Sequence, residues 1–158
     1  MKPIFDSPGR NAVVSLREVT PDNLEQIIGL QVAPDQEVFV EPNAVSLAEA
    51  FLHKAHTWVR AIYADERPVG FLMLKSSPEP AVYGLWRLMV DYRFQGAAFG
   101  SRAVEQVIEH VRKQPGARRI SLFCIPQDGH PGPFYERLGF VYTTGEVEEG
   151  ELRMHLDL

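Results

Sequence analysis

The chain has 158 residues and is 45 % hydrophobic, which fits one domain around one core. Its net charge of −5 counts against a general nucleic-acid binder, whose affinity rests on clustered Lys and Arg, and mildly favours a cationic partner. The single cysteine excludes an internal disulfide, and no apolar N-terminal run reads as a signal peptide or membrane span, so no membrane partner and a cytoplasmic location are expected.

Residues 1–12 hold two prolines and a glycine without periodicity and read as a flexible leader; a single domain is expected over 13–158. "AVVSLREV" reads as a first strand. In "TPDNLEQIIGL", Thr20 can cap a helix, Pro21 suits its first position, and Leu24, Ile27 and Ile28 share a face. After the loop "QVAPDQEVFVEPNAV", Ser46 and Glu49 have capping-box spacing at the start of a second helix, "SLAEAFLHKA". Two β-rich runs around Ala64 to Pro68 predict an antiparallel hairpin, and a proline-rich turn at Ser77 to Pro80 leads to "AVYGLWRLMVD". That strand is apolar on both faces toward its end and is expected in the middle of the sheet.

Next, Phe99, Ala103, Val104, Val107, Ile108 and Val111 fall at helical spacing until Pro115-Gly116. Strand "RRISLFCIP", helix "PFYERLGF" and a terminal hairpin around "GEVEEGE" complete the chain. The order β-αα-β-β-β-α-β-α-β-β predicts an α/β (α+β) fold with a mixed sheet and helices on its faces.

The stretch between Arg87 and Val111 is the most informative. An apolar strand enters a turn with Gln95, Gly96, Ala97, Ala98 and Gly100 and passes straight into a helix. A helix N-terminus has unpartnered N–H groups and the positive end of the helix dipole, so small residues there leave a cradle for phosphate, with donors from Gly96 to Ser101. An ordinary tight strand–helix turn would read the same way locally. No Gly-Lys-Ser/Thr is present, and the glycine spacing does not match the dinucleotide fingerprint.

"MVDYRFQGAAFGSRAVEQVIEHV" resembles the acetyl-CoA-binding motif of the GNAT acetyltransferases, a hydrophobic strand followed by Gln/Arg-x-x-Gly-x-Gly/Ala at a helix start, with Gln95, Ala98 and Gly100 in the signature positions. "PFYERLGFVYTTGEV" is similar to the family's second characteristic segment. The resemblance runs from Val13 to Leu158 and implies a GNAT-type central mixed, mostly antiparallel sheet flanked by helices on both faces. "LWRLMVDYRFQG" and the acidic loop "QVAPDQEVFVEP" resemble more narrowly the spermine/spermidine (diamine) acetyltransferase branch. Ala98 departs from the usual glycine, and a positive φ there would be strained.

By position, the resemblance assigns acetyl-CoA to Leu88, Met89 and Val90 on the strand and to Phe94, Gln95, Gly96, Ala97, Ala98, Phe99, Gly100 and Ser101 around the pyrophosphate. It implies direct attack of an amine on the thioester, with no metal. Tyr135 takes the place of the acid that protonates the departing thiolate. Glu37 and Glu41, in the early loop, are the candidates to attract the amine or to accept its proton through water; solvated surface charge is their alternative reading. The expected substrate is a primary amine of a small molecule, a polyamine on the narrower resemblance. An amino acid, an antibiotic or a protein N-terminus remain as acceptors, as does a non-catalytic acyl-CoA-binding module. Related enzymes often pair as dimers, so the resemblance admits a homodimer.

The remaining residues have plainer readings. Asp91 suits a turn or helix start, Cys124 a buried strand position beside Ile120 and Leu122, and Trp58 and Trp86 core or cleft walls. His53 and His56 lack an evident third ligand, and His130 reads as a loop histidine. Glu146, Glu148, Glu149 and Glu151 read as an exposed acidic face.

Overall fold

The computed structural model describes residues 7–77, 81–144 and 150–158. The start of the leader, Pro78 to Pro80 of the proline-rich turn, and Glu146, Glu148 and Glu149 lie outside the described residues.

Seven strands form one sheet in the order β1-β2-β3-β4-β5-β7-β6. They are β1 (Val14–Arg17), β2 (Thr57–Ala64), β3 (Arg67–Ser76), β4 (Val82–Val90), β5 (Arg119–Cys124), β6 (Val141–Tyr142) and β7 (Leu152–Asp157). Every pairing is antiparallel except that of β4 with β5. The helix between those two strands, α3 (Phe99–Arg112), supplies the crossover that a parallel pair requires. Its buried residues are the six apolar positions expected from their spacing.

The sheet separates two cores. On one face Phe99, Val104, Val107 and Val111 of α3, with Tyr135 of α4 (Gly132–Arg137), pack on Ile62, Leu72 and Ile120. On the other, Ile27 of α1 (Leu24–Ile28) and Ala50 of α2 (Asn43–Leu52) pack on Ala61, Phe71, Met73 and Met89. Helices therefore cover both faces. Ala12 is 6 % exposed and joins the α3-side core, so the end of the leader is tied down.

Both early helices start elsewhere than expected. Thr20 does not cap α1: the Asn23 side chain turns back to accept from the Thr20 N–H at 2.8 Å, and the N–H groups of Asn23 and Leu24 close a turn onto the Thr20 carbonyl. Such local side-chain bonds compete with helix formation, and only five helical residues follow, with Leu24 and Ile28 half exposed. The Ser46–Glu49 capping box also fails. Pro42 sets the helix start three residues earlier, where buried Asn43 donates to the Ile27 carbonyl at 2.9 Å. Ser46 is then inside α2, and Glu49 is drawn to Arg87 at 2.9 Å.

Candidate active site

β4 and β5 pair only at Val82–Arg119, Tyr83–Ile120 and Gly84–Ser121. Beyond Gly84 they part, so the β5 side of Leu85 to Val90 has no strand partner. Backbone groups so released need another acceptor or donor. A β-bulge in the β3–β4 ladder falls in the same region, where Met73 pairs with Arg87 and Leu74 with Leu85, leaving Trp86 as the extra residue. The gap opens into a cleft of about 500 Å³ walled by β4, β5, the start of α3, α4 and the segment after α1.

The turn from β4 into α3 is braced from below. Asp91 is 1 % exposed and accepts from the Gln31 N–H at 2.9 Å, the Arg93 N–H at 3.0 Å and Arg93 Nε at 2.8 Å. Burial, the largest single influence, would raise this carboxyl, but the Arg93 guanidinium and the two N–H groups together hold it below the usual carboxylate range. Phe94 is anchored in the core. Gly96 has φ +85° and open space where a side chain would stand, so the turn stays uncovered. At Gly100 a Cβ would touch Phe134 and Val90 at 3.5 Å, which makes this the close approach of α3 to the cleft wall. Ala98 adopts φ 62°, ψ 21°, and its side chain offers no cap to α3. The first N–H groups of α3 are thus free to meet an anion.

Tyr135 stands across the cleft, 7 % exposed, edge-on to Phe134 at 5.0 Å and to Phe140 at 5.6 Å. Its hydroxyl has no hydrogen-bond partner among the described residues. Burial, and to a lesser degree neighbouring Cys124, pushes the phenol well up, so it carries its proton at neutral pH. Cys124 also lines the cleft, and burial raises its thiol.

Leu88, Met89 and Val90 and all of 94–101 except Ala97 line the cleft with Tyr135. Ala97 faces elsewhere with its carbonyl, which accepts from Arg102 at 3.2 Å. Glu37 and Glu41 are exposed and are not among the lining residues, although Gln36, Phe39 and Val40 of the same segment are. The loop there is largely a 3-10 helix, Pro34–Phe39, whose winding sends neighbours to different sides. His130 accepts from the Gly132 N–H through Nδ1 at 3.1 Å at the start of α4. His53 lies edge-on to Trp86 at 6.0 Å, and among the described residues no group of three or more His, Cys, Asp or Glu could hold a metal.

Sequence reading missed Gln36, Phe39, Arg87 and Phe123 as lining residues. Gln36 could not be found by pattern, since it gains its place by exchanging amide hydrogen bonds with Gln95. Arg87 comes from the bulge, with Nη2 on Glu49 at 2.9 Å and Nη1 on the Trp86 carbonyl at 3.1 Å.

Similarity to known proteins agrees with this geometry. The spermine/spermidine N(1)-acetyltransferase of Bacillus subtilis (strain 168) is 28 % identical over 142 residues, 85 % of this chain and 91 % of that protein. Among solved structures, spermidine N-acetyltransferase from Vibrio cholerae in complex with CoA and spermine superposes with a TM-score of 0.72 at 16 % identity, covering 91 % of this chain and 95 % of that one. An acetyltransferase of Bacillus subtilis in complex with CoA gives 0.65 at 20 % identity, covering 93 % and 99 %. The structural likenesses show a shared fold. The model of the acetyltransferase (GNAT) family matches residues 21–140, so the chain belongs to that family and is an acetyl-CoA-dependent N-acetyltransferase.

Proposed function

We propose that this acetyltransferase transfers acetyl to a primary amine of a small molecule by direct attack of the amine on the thioester, without a covalent enzyme intermediate. The observation that carries this reading is the opened β4 edge with a protonated, unpartnered Tyr135 hydroxyl on one side and an uncapped helix start at its end. The site fits acetyl-CoA: Gly96 leaves the turn bare, the α3 N–H groups would hold the pyrophosphate, and the free edge of Leu88 to Val90 would hold the pantetheine arm. Acetyl-CoA supplies an activated acetyl group.

Tyr135 then gives its proton to the thiolate sulfur as the C–S bond breaks and the C–N bond forms. The amine must lose a proton as well, since a free primary amine has a pKa of about 10.4. Glu37 and Glu41 are the carboxylates assigned to attract the amine or to take that proton through water from the exposed side of their segment. Thiol release measured over a panel of polyamines, amino acids and aminoglycosides tests the reading. Amine-dependent release supports it; cofactor binding with no turnover on any of these amines would overturn the small-molecule acceptor.

A polyamine as the acceptor is favoured by the names of the Bacillus subtilis and Vibrio cholerae relatives. On that reading Glu37→Gln or Glu41→Gln raises KM for spermidine, and an unchanged KM in both variants would sink it.

A further inference from the structure

The leader reaches the turn that begins α3. Arg10 Nη2 donates to the Gly96 carbonyl at 3.0 Å, and Arg102, in the first turn of α3, donates to the Arg10 carbonyl at 3.0 Å and the Ala12 carbonyl at 2.7 Å. These contacts join residues far apart in sequence. They bring a second guanidinium to a place that already carries the positive end of a helix.

The arginines around this turn are differently occupied. Arg93 is neutralised by Asp91, with bonds of 2.8 Å and 3.2 Å to its two oxygens. Arg102 spends its terminal nitrogens on the carbonyls of Ala12, Arg10 and Ala97. Arg10 is exposed, makes the single bond to Gly96, and has no carboxylate partner among the described residues. A guanidinium presents five N–H donors in a planar fork, so most of that fork is unspent. In a chain with a net charge of −5, two guanidiniums without a carboxylate partner among the described residues, beside an uncapped helix start, form a local positive pole. Gly96, whose carbonyl Arg10 holds, is itself a wall of the cleft.

We propose that Arg10 is a ligand for the phosphates of the acetyl donor, so that the chain from Arg10 to Ala12 forms the outer wall of the donor site. The inference rests on acetyl-CoA as the donor but not on the identity of the acceptor. Arg10 swings its free N–H groups onto phosphate oxygens while Arg102 keeps the leader backbone in place. The charge-assisted fork makes this contact stronger and shorter than a neutral one.

The test is calorimetric titration of CoA into wild type, Arg10→Gln and Arg10→Lys at low and high salt. Gln removes the charge while keeping an N–H donor, and Arg102 still holds the leader backbone through the Arg10 and Ala12 carbonyls. The expected result is a five- to tenfold weaker affinity in Arg10→Gln at low salt, partial recovery in Arg10→Lys, and a gap that narrows at high salt, with melting temperatures alike. CoA lacking the 3′-phosphate separates the two phosphate sources: a loss that persists assigns Arg10 to the pyrophosphate, and one that vanishes assigns it to the 3′-phosphate. Affinity within twofold of wild type, or a loss equal at all salt concentrations and not recovered by Lys, would overturn the proposal. Because binding is read without turnover, a failure to acetylate any amine would count against the acceptor reading alone.

Discussion

Gln36 and Gln95 exchange amide hydrogen bonds at 3.1 Å and 2.8 Å, tying the segment after α1 to the turn that opens α3. The Gln95 amide also donates to the Val90 carbonyl at 2.9 Å, and Gln36 Oε1 accepts from the Ala33 N–H at 3.1 Å. One clasp therefore fixes both walls of the cleft, the one assigned to the donor and the one assigned to the amine. Each neutral bond contributes about 0.5–1.5 kcal/mol, less where water competes, as it does at this exposed pair. Gln36→Ala should leave the melting temperature nearly unchanged but lower kcat/KM for the amine about fivefold, because an amine held loosely spends less time in line with the thioester. Steady-state kinetics at saturating acetyl-CoA would check this, and unchanged kcat/KM would reduce the clasp to surface decoration.

Tyr135→Phe should separate chemistry from binding. The ring packs between Phe134 and Phe140, so Phe preserves the aromatic contacts and the fold. Loss of a general acid typically costs about 10²–10⁴ in rate, and kcat should fall within that range while CoA affinity stays within about twofold. The phenol titrates higher in the folded chain than in the unfolded one, because burial disfavours its charged form. Its contribution to stability is therefore whole below about pH 10, the unfolded value, and is lost only as pH rises toward the folded one. Wild-type activity should accordingly show no Tyr135-dependent alkaline loss below about pH 10, and a limb near neutrality that disappears in Tyr135→Phe would contradict the assignment.

Asp91 connects three pieces of chain: the segment after α1, the end of β4 and the turn before α3. Asp91→Asn removes the charge opposite Arg93 and leaves at least one of the carboxylate's four accepted bonds unmade, so a loss of about 2–3 kcal/mol at pH 7 is expected. The folded carboxyl titrates below its unfolded value. As pH falls, the unfolded chain takes up the proton first, so the stabilisation is complete above about pH 4 and fades as pH drops through the folded value. Urea unfolding of wild type and Asp91→Asn at pH 7 and at pH 3 should show the gap narrowing at the lower pH.

Element type and order were legible because α3 and the strands announce themselves by period: all six predicted apolar positions of α3 are its buried residues, and Ile120, Leu122 and Cys124 alternate inward on β5. The open turn before α3 was legible for a related reason, since bare backbone at a helix start leaves a compositional trace in Gly96, Ala97, Ala98 and Gly100. The starts of α1 and α2 were not, because Asn23 and Asn43 act through bonds to Thr20 and Ile27 that exist only once neighbouring elements are placed. The cleft wall formed by the segment after α1 was the least legible. Glu37 and Glu41 stand out in sequence by charge, yet Gln36 and Phe39 on the same 3-10 turn line the cleft, and a half-turn of a short helix decides between them.

Ala98 carries the one backbone strain that the family motif anticipates. At φ 62° its Cβ crowds the backbone, at a cost of roughly 1–2 kcal/mol that glycine does not incur. Glycine also loosens the unfolded chain, which offsets about 0.4–1 kcal/mol. Ala98→Gly should therefore gain about 0.5–1 kcal/mol net and raise the melting temperature by about 2–3 °C for a domain of this size. Ala98 also lines the cleft, so removing its methyl should let phosphate come closer to the α3 N–H groups and lower KM for acetyl-CoA about two- to fivefold. Ala98→Val, β-branched at the same φ, should do the reverse on both counts. If Ala98→Gly instead melted lower and bound acetyl-CoA no better, the methyl would be packing usefully against the turn, and the left-handed alanine would be a stabilising contact rather than a stored strain.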